Sequence, residues 1–251
     1  MYQALKNSLF EQDRHRYREI QKCVTTFNSM FNGNNIIQDD IFHIMENYVR
    51  KHDIPFELLR YGISDQEFCA CTFIREKRLF VLVNTAIPMA KQIFAAAHEL
   101  YHIYRFIDDD DSGLSERGSI LNATTIDETT TVMEDMEANA FAGSLLAPAD
   151  RIDEQMRIYG VKRGSIDLQG ILMLMEIFAI PYKAMVLRLF EEEIISENQA
   201  RDFFLVPQSE IVEQVELTGK ASRWLQIPKI PIRMGSLMEE MKTAEKLESV
   251  R

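Results

Sequence analysis

The sequence predicts an α+β protein, mainly helical, in which a small hairpin-bearing sheet packs on one long helix and the C-terminal part is helical. Three observations predict it. Apolar residues recur at three- and four-residue steps along most of the chain. Residues 67–74 and 79–83 are strand-formers flanking the polar turn Arg75-Glu76-Lys77-Arg78, which is the pattern of a β-hairpin. The composition of the 251 residues, 46% hydrophobic and 27% charged with only 10 Gly and 7 Pro, is that of a globular chain with a large core.

Helices are expected over 3–31 and 39–52, separated by Asn32-Gly33-Asn34-Asn35, whose residues tolerate positive φ, and closed by Ile54-Pro55. After the hairpin, Asn84-Thr85 can cap and Pro88 suits the first turn of a helix running from 89 to 106. Residues 108–130, with four consecutive aspartates, two glycines and many Ser and Thr, read as a long exposed excursion. Further helices are expected over 131–147, stopped by Pro148, then 149–159, 165–178 with Ser165 as cap, and 181–194 opened by Pro181. Past 207 the pattern is weaker, until Ser236-Leu237-Met238-Glu239 has capping-box spacing for a last charged helix to about 248. The chain thus divides into an N-terminal helical segment (1–35), a central region with the strands and long helices (36–160), a helical pair packed on it (161–206) and a tail (207–251).

Charge and composition narrow the function. A net charge of −11 repels phosphate backbones and anionic lipid, and no run approaches the roughly 18 apolar residues of a membrane span. The N-terminus mixes charges at helical spacing, unlike a signal peptide, and three cysteines are an odd number for a disulfide framework. A soluble cytoplasmic protein without direct nucleic-acid contact is expected.

The expected helix over 89–106 carries Ala97-His98-Glu99-Leu100-Tyr101-His102, an HExxH pattern. Residues four apart share a helix face, so His98 and His102 can hold one divalent ion, zinc by default, with Glu99 beside it as a proton carrier. Two imidazoles and an acid in an otherwise apolar stretch would be costly without a partner. The third ligand is sought in Met133-Glu134-Asp135-Met136-Glu137-Ala138-Asn139. The apolar stripe at 138, 141, 142 and 145 places 134 and 135 toward the metal and 137 to the side, leaving Asp135 or Glu134.

The run VLVNTAIPMAKQIFAAAHELYHI followed by MEANAFAGSLLAP closely resembles the ImmA/IrrE family of metallo-endopeptidases, specifically over roughly 75–150 and more loosely over 36–75 and 165–205. The resemblance implies a zinc peptidase with gluzincin-like chemistry, in which His98 and His102 ligate, Glu99 is the general base and Asn139 supports the ligands from behind. It also implies a protein substrate, a helix-turn-helix repressor. The family usually has Glu where this chain has Asp135, an arm shorter by one methylene. That departure motivates an alternative, a weakly active or inactive homologue that binds a repressor without cutting it. The long spacing between the motifs puts the acidic stretch near the cleft as a lid or substrate guide.

Other signals are weaker. Asp108–Gly113 begins like a calcium loop, but its twelfth position is Ser119 where a bidentate Glu is needed. Cys69-Ala70-Cys71 suits strand packing better than ligation. Residues 165–194 have the cadence of a helix-turn-helix, the basis for a third reading as a DNA-binding regulator. The second helix offers only Lys183 and Arg188 to a duplex. The methionines suit core filling, and Trp224 is placed to anchor the tail.

Overall fold

Ser8 and Asp13 decide how the chain begins. The computed structural model describes residues 3–31, 36–108, 117–127 and 130–227, and where one helix was expected over 3–31 it has three: α1 (Gln3–Lys6), α2 (Leu9–Gln12) and α3 (Arg14–Phe31). The Ser8 hydroxyl accepts from the Glu11 N–H at 3.4 Å, and Asp13 Oδ1 accepts from the Arg16 N–H at 2.9 Å. Each side chain caps a new helix where the spacing of charges suggested continuity. A 3₁₀ turn at Gln38–Asp40 leads into α4 (Ile41–Lys51), which closes before Pro55 as expected.

The sheet has four strands where two were expected. They are β1 (Phe56–Tyr61), β2 (Phe68–Arg75), β3 (Arg78–Asn84) and β4 (Gly118–Asn122), in the order β1-β3-β2-β4. The expected hairpin is β2–β3, with Glu76 and Lys77 at φ +50° and +59°, as a two-residue type I′ turn requires. β1 lies parallel to β3, from Phe56↔Leu79 to Tyr61↔Asn84, and β4 pairs antiparallel to β2 on the opposite side. β1 carries no β-branched residue, and β4 lies within the Ser- and Thr-rich stretch that reads as a loop, so neither has a strong local strand signal. At Gly118 an added Cβ would meet the Thr72 carbonyl oxygen at 2.9 Å, so β4 can approach β2 this closely only with glycine there.

Between β3 and β4 runs α5 (Met89–Asp108), buried on nearly every side from Ala90 to Phe106. It packs on β2, β3 and β4 and on α4. After β4 come α6 (Ala123–Asp127) and α7 (Met133–Leu146), the second central helix, which packs along α5. The rest is helical: α8 (Ala149–Ile158), α9 (Leu168–Phe178), α10 (Tyr182–Glu191), α11 (Glu197–Leu205), α12 (Gln208–Thr218) and α13 (Ser222–Leu225). The cap of α9 is Asp167, two residues beyond the expected Ser165, because its Oδ1 accepts from the Gly170 N–H at 2.8 Å. Trp224 anchors α13 by donating from its indole to the Glu176 carbonyl at 2.7 Å. The expected last helix at 236–248 lies outside the described residues.

One hydrophobic core takes residues from Leu5 to Trp224, drawn from all four of the segments divided above. Polar contacts bind the same parts together. Arg188 on α10 is buried and donates to the Tyr17 hydroxyl on α3 at 2.7 Å, to Glu191 at 2.9 Å and to Glu192 at 2.7 Å, with the Ala147 carbonyl at 3.2 Å completing its fork. Gly143 makes room for it, since a Cβ there would lie 2.8 Å from Arg188 Cδ. Among the described residues no single helix is long and apolar enough to cross a membrane. The pair α9 and α10 passes together on length and composition, but it is bent by 102° and its apolar residues sit in the core.

Replacing Arg188 by Met should lower the unfolding free energy by about 3–5 kcal/mol, because the buried Glu191 carboxylate loses its counter-charge. Denaturant titration of parent and variant measures the difference.

Candidate metal centre

The site is built where α5 and α7 lie side by side. His98 and His102, one turn apart on α5, are buried and turn their Nε2 atoms toward each other at 3.1 Å. From the first turn of α7, Asp135 Oδ1 stands 3.9 Å from His98 Nε2 and 3.7 Å from His102 Nε2. These three atoms are a group able to hold a metal ion. The point equidistant from them lies about 2.1 Å from each, the bond length of zinc to imidazole nitrogen and carboxylate oxygen.

Groups behind the ligands set their orientation. Asn139 on α7 accepts at Oδ1 from His98 Nδ1 at 2.9 Å, and donates from Nδ2 to the Thr125 carbonyl at 3.2 Å. That arrangement leaves the lone pair of His98 on Nε2, facing the centre. Glu134 does the same for His102, taking its Nδ1 at 2.9 Å. Of the two acids left open by the sequence, Asp135 therefore faces the cluster, and Glu134 grips the far side of an imidazole, an arrangement that fixes its tautomer and raises its basicity. Thr130 donates to Asp135 Oδ2 at 3.3 Å, which turns Oδ1 inward. Two imidazole lone pairs 3.1 Å apart repel unless a proton or a cation lies between them, so the donor set fits a cation.

Burial and neighbours divide the charges. Burial holds His98 well below the usual imidazole range, which keeps it in the neutral form that ligates. For His102 burial acts downward too, but Glu134, Glu99 and Asp135 outweigh it and the net shift is upward. The His102 hydrogen bond lowers Glu134, whereas burial raises both Asp135 and Glu99. Glu99 is completely buried. Its Oε2 accepts from the Ser119 hydroxyl on β4 at 2.6 Å, and its Oε1 has no hydrogen-bond partner within 3.5 Å among the described residues.

A second layer ties the N-terminal helices to the site. Glu137 is buried to the side, as the stripe on α7 predicts, and accepts from the Tyr101 hydroxyl at 2.5 Å and from Arg16 Nε on α3 at 2.5 Å. Sequence spacing gives no sign of Ser119, Arg16 or Tyr101, because each reaches the site through tertiary packing. Cys69 and Cys71 are thiols outside the metal group. The acidic residues 109–116 between the motifs, with most of the calcium-like run, lie outside the described residues.

Comparison with models of known protein families finds no match, and comparison with curated proteins finds none either.

Asp135→Ala should remove one of three ligands and abolish stoichiometric metal retention through dialysis. Glu134→Gln should keep the metal but weaken zinc affinity about 10- to 100-fold, as loss of an imidazole's outer partner does. Competition with a fluorescent zinc chelator reads both. Around Glu137, burial pushes the carboxyl up but the Arg16 and Tyr101 hydrogen bonds outweigh it, and the net shift is downward. A lowered folded pKa stabilises above the ordinary carboxylate range and loses that contribution as pH falls through the lowered value. Glu137→Gln should therefore flatten the acid side of the stability-pH profile measured by denaturant unfolding.

Proposed function

We propose that this chain is a zinc-dependent endopeptidase of the ImmA/IrrE type, acting on a protein substrate of the helix-turn-helix repressor class. The observation that carries the reading is the meeting of His98 Nε2, His102 Nε2 and Asp135 Oδ1 around one point, beside a buried Glu99 whose Oε1 is unpartnered. Zinc in such a site supplies Lewis acidity, polarising a carbonyl and lowering the pKa of water to about 7.

The chain's own groups do the rest. Glu99 takes a proton from the attacking water as its oxygen bonds to the scissile carbonyl carbon. It then delivers that proton to the amine nitrogen as the C–N bond breaks. Burial of Glu99 raises its proton affinity toward the range such a carrier needs. Asn139 and Glu134 hold the imidazoles in the ligating tautomer throughout. The substrate class rests on the motif resemblance, and a net charge of −11 favours capture of a basic DNA-binding partner.

Asp135 motivates a second reading, a homologue that binds without cutting. Its short arm nevertheless comes within 3.9 Å of both imidazoles, which favours an intact centre. A DNA-binding role is disfavoured, because the buried, ion-paired Arg188 leaves α10 with Lys183 as its one cation for a duplex.

Incubated with zinc and a purified helix-turn-helix repressor, the parent should generate discrete fragments by mass spectrometry. Glu99→Gln should lower that rate by about 10²- to 10⁴-fold while retaining its zinc. Zinc retained by a parent that only binds the repressor would establish the non-cleaving homologue instead.

A further inference from the structure

The carboxylate assigned to proton transfer is approached by two hydroxyls, Ser119 and Thr72, of which Ser119 makes the close hydrogen bond. Glu99 lies completely buried on α5, and its Oε2 accepts from the Ser119 hydroxyl on edge strand β4 at 2.6 Å. The other oxygen, Oε1, is equally enclosed and has no hydrogen-bond partner within 3.5 Å among the described residues. Thr72, directly across the β2–β4 ladder from Ser119, is also buried and acts on the same carboxylate, but its hydroxyl makes no close hydrogen bond among the described residues. A carboxylate kept only for packing would be expected to have both oxygens satisfied, since each unpaired buried oxygen is destabilising. Here one is fixed and the other is left open.

Resting on the peptidase reading above, we propose that Ser119 is the positioning residue for Glu99: its hydroxyl clamps Oε2 and so presents Oε1 as the proton acceptor. A carboxylate tethered at one oxygen still turns about its Cγ–Cδ bond, and the tether selects one rotation out of that broad range. β4 is suited to the task because it is fixed to β2 by the ladder from Thr72↔Ser119 to Phe68↔Asn122 and by the close approach at Gly118. The serine is therefore held by the sheet, independently of the helix that carries its partner. Ser119 itself touches neither the three candidate ligand atoms nor, on this assignment, the substrate.

The test uses the zinc-loaded full chain and acetohydroxamic acid, a small zinc chelator that gives up its hydroxyl proton on binding, with Glu99 as the group to take it. Affinities are measured calorimetrically for the parent, Ser119→Ala, Ser119→Thr, Glu99→Gln and the Ser119→Ala/Glu99→Gln double variant. Zinc content should be unchanged in all five. Ser119→Ala should weaken hydroxamate binding roughly ten-fold, the scale of one hydrogen bond to a charged group. Ser119→Thr, which keeps the hydroxyl, should restore affinity to within about two-fold, whereas the double variant should bind no more weakly than Glu99→Gln alone. A merely structural serine would not show that non-additivity.

If Glu99→Gln weakens binding and Ser119→Ala does not, the positioning role is overturned and the peptidase reading stands. If Glu99→Gln leaves hydroxamate affinity unchanged, the proton-carrying role of Glu99 fails, and the inference fails with it.

Discussion

The placement of two imidazoles and the Glu99 carboxylate within the buried contact of α5 and α7, with Asp135 part-buried beside them, is the constraint on which the rest of the structure depends. Polar groups taken from water into such a place are destabilising unless each finds a partner. The chain supplies those partners one at a time: Asn139 for His98, Glu134 for His102, Thr130 for Asp135 and Ser119 for Glu99. What remains after this accounting is two imidazole nitrogens and two carboxylate oxygens, and three of those four atoms surround a single point. The distribution of satisfied and unsatisfied groups thus outlines a site able to hold a metal ion.

Around that centre the elements fall into two kinds of support. The sheet presents its inner face to α5, and through β4 delivers the Ser119 hydroxyl to Glu99. The helices of the opposite side act on α7, Arg16 through Glu137 and Arg188 through the turn that follows α7. The first route ends two positions from Asp135, and the second on Ala147, the residue that closes the same helix. Rigidity is supplied from outside the ligand set, which matters because a site loose by an ångström loses most of its value.

Much of this was legible in the sequence, and the boundary between legible and hidden has a physical cause. His98, Glu99 and His102 could be read because helix periodicity is local, so residues four apart must share a face. The same logic put Glu137 to the side of the stripe. It could not choose between Glu134 and Asp135, because adjacent positions differ by about 100° around the axis and both can swing inward. The choice depends on Thr130 and on the far nitrogen of His102, neither of which any spacing reveals. β1 and β4 were hidden for a related reason: their strand character comes from neighbours far along the chain. The single helix expected over 3–31 failed locally, since Ser8 and Asp13 are ordinary polar residues until their side chains are seen to cap.

The contact between Arg16 and Glu137 spans 121 residues, and that between Tyr17 and Arg188 spans 171. During synthesis the amino-terminal helices leave the ribosome first, yet their polar partners are made only after most of the polypeptide exists. Loop closures of such length come late in folding. The second layer around α7, with Glu137 and the buried Arg188, is therefore completed only once nearly the whole chain has been made.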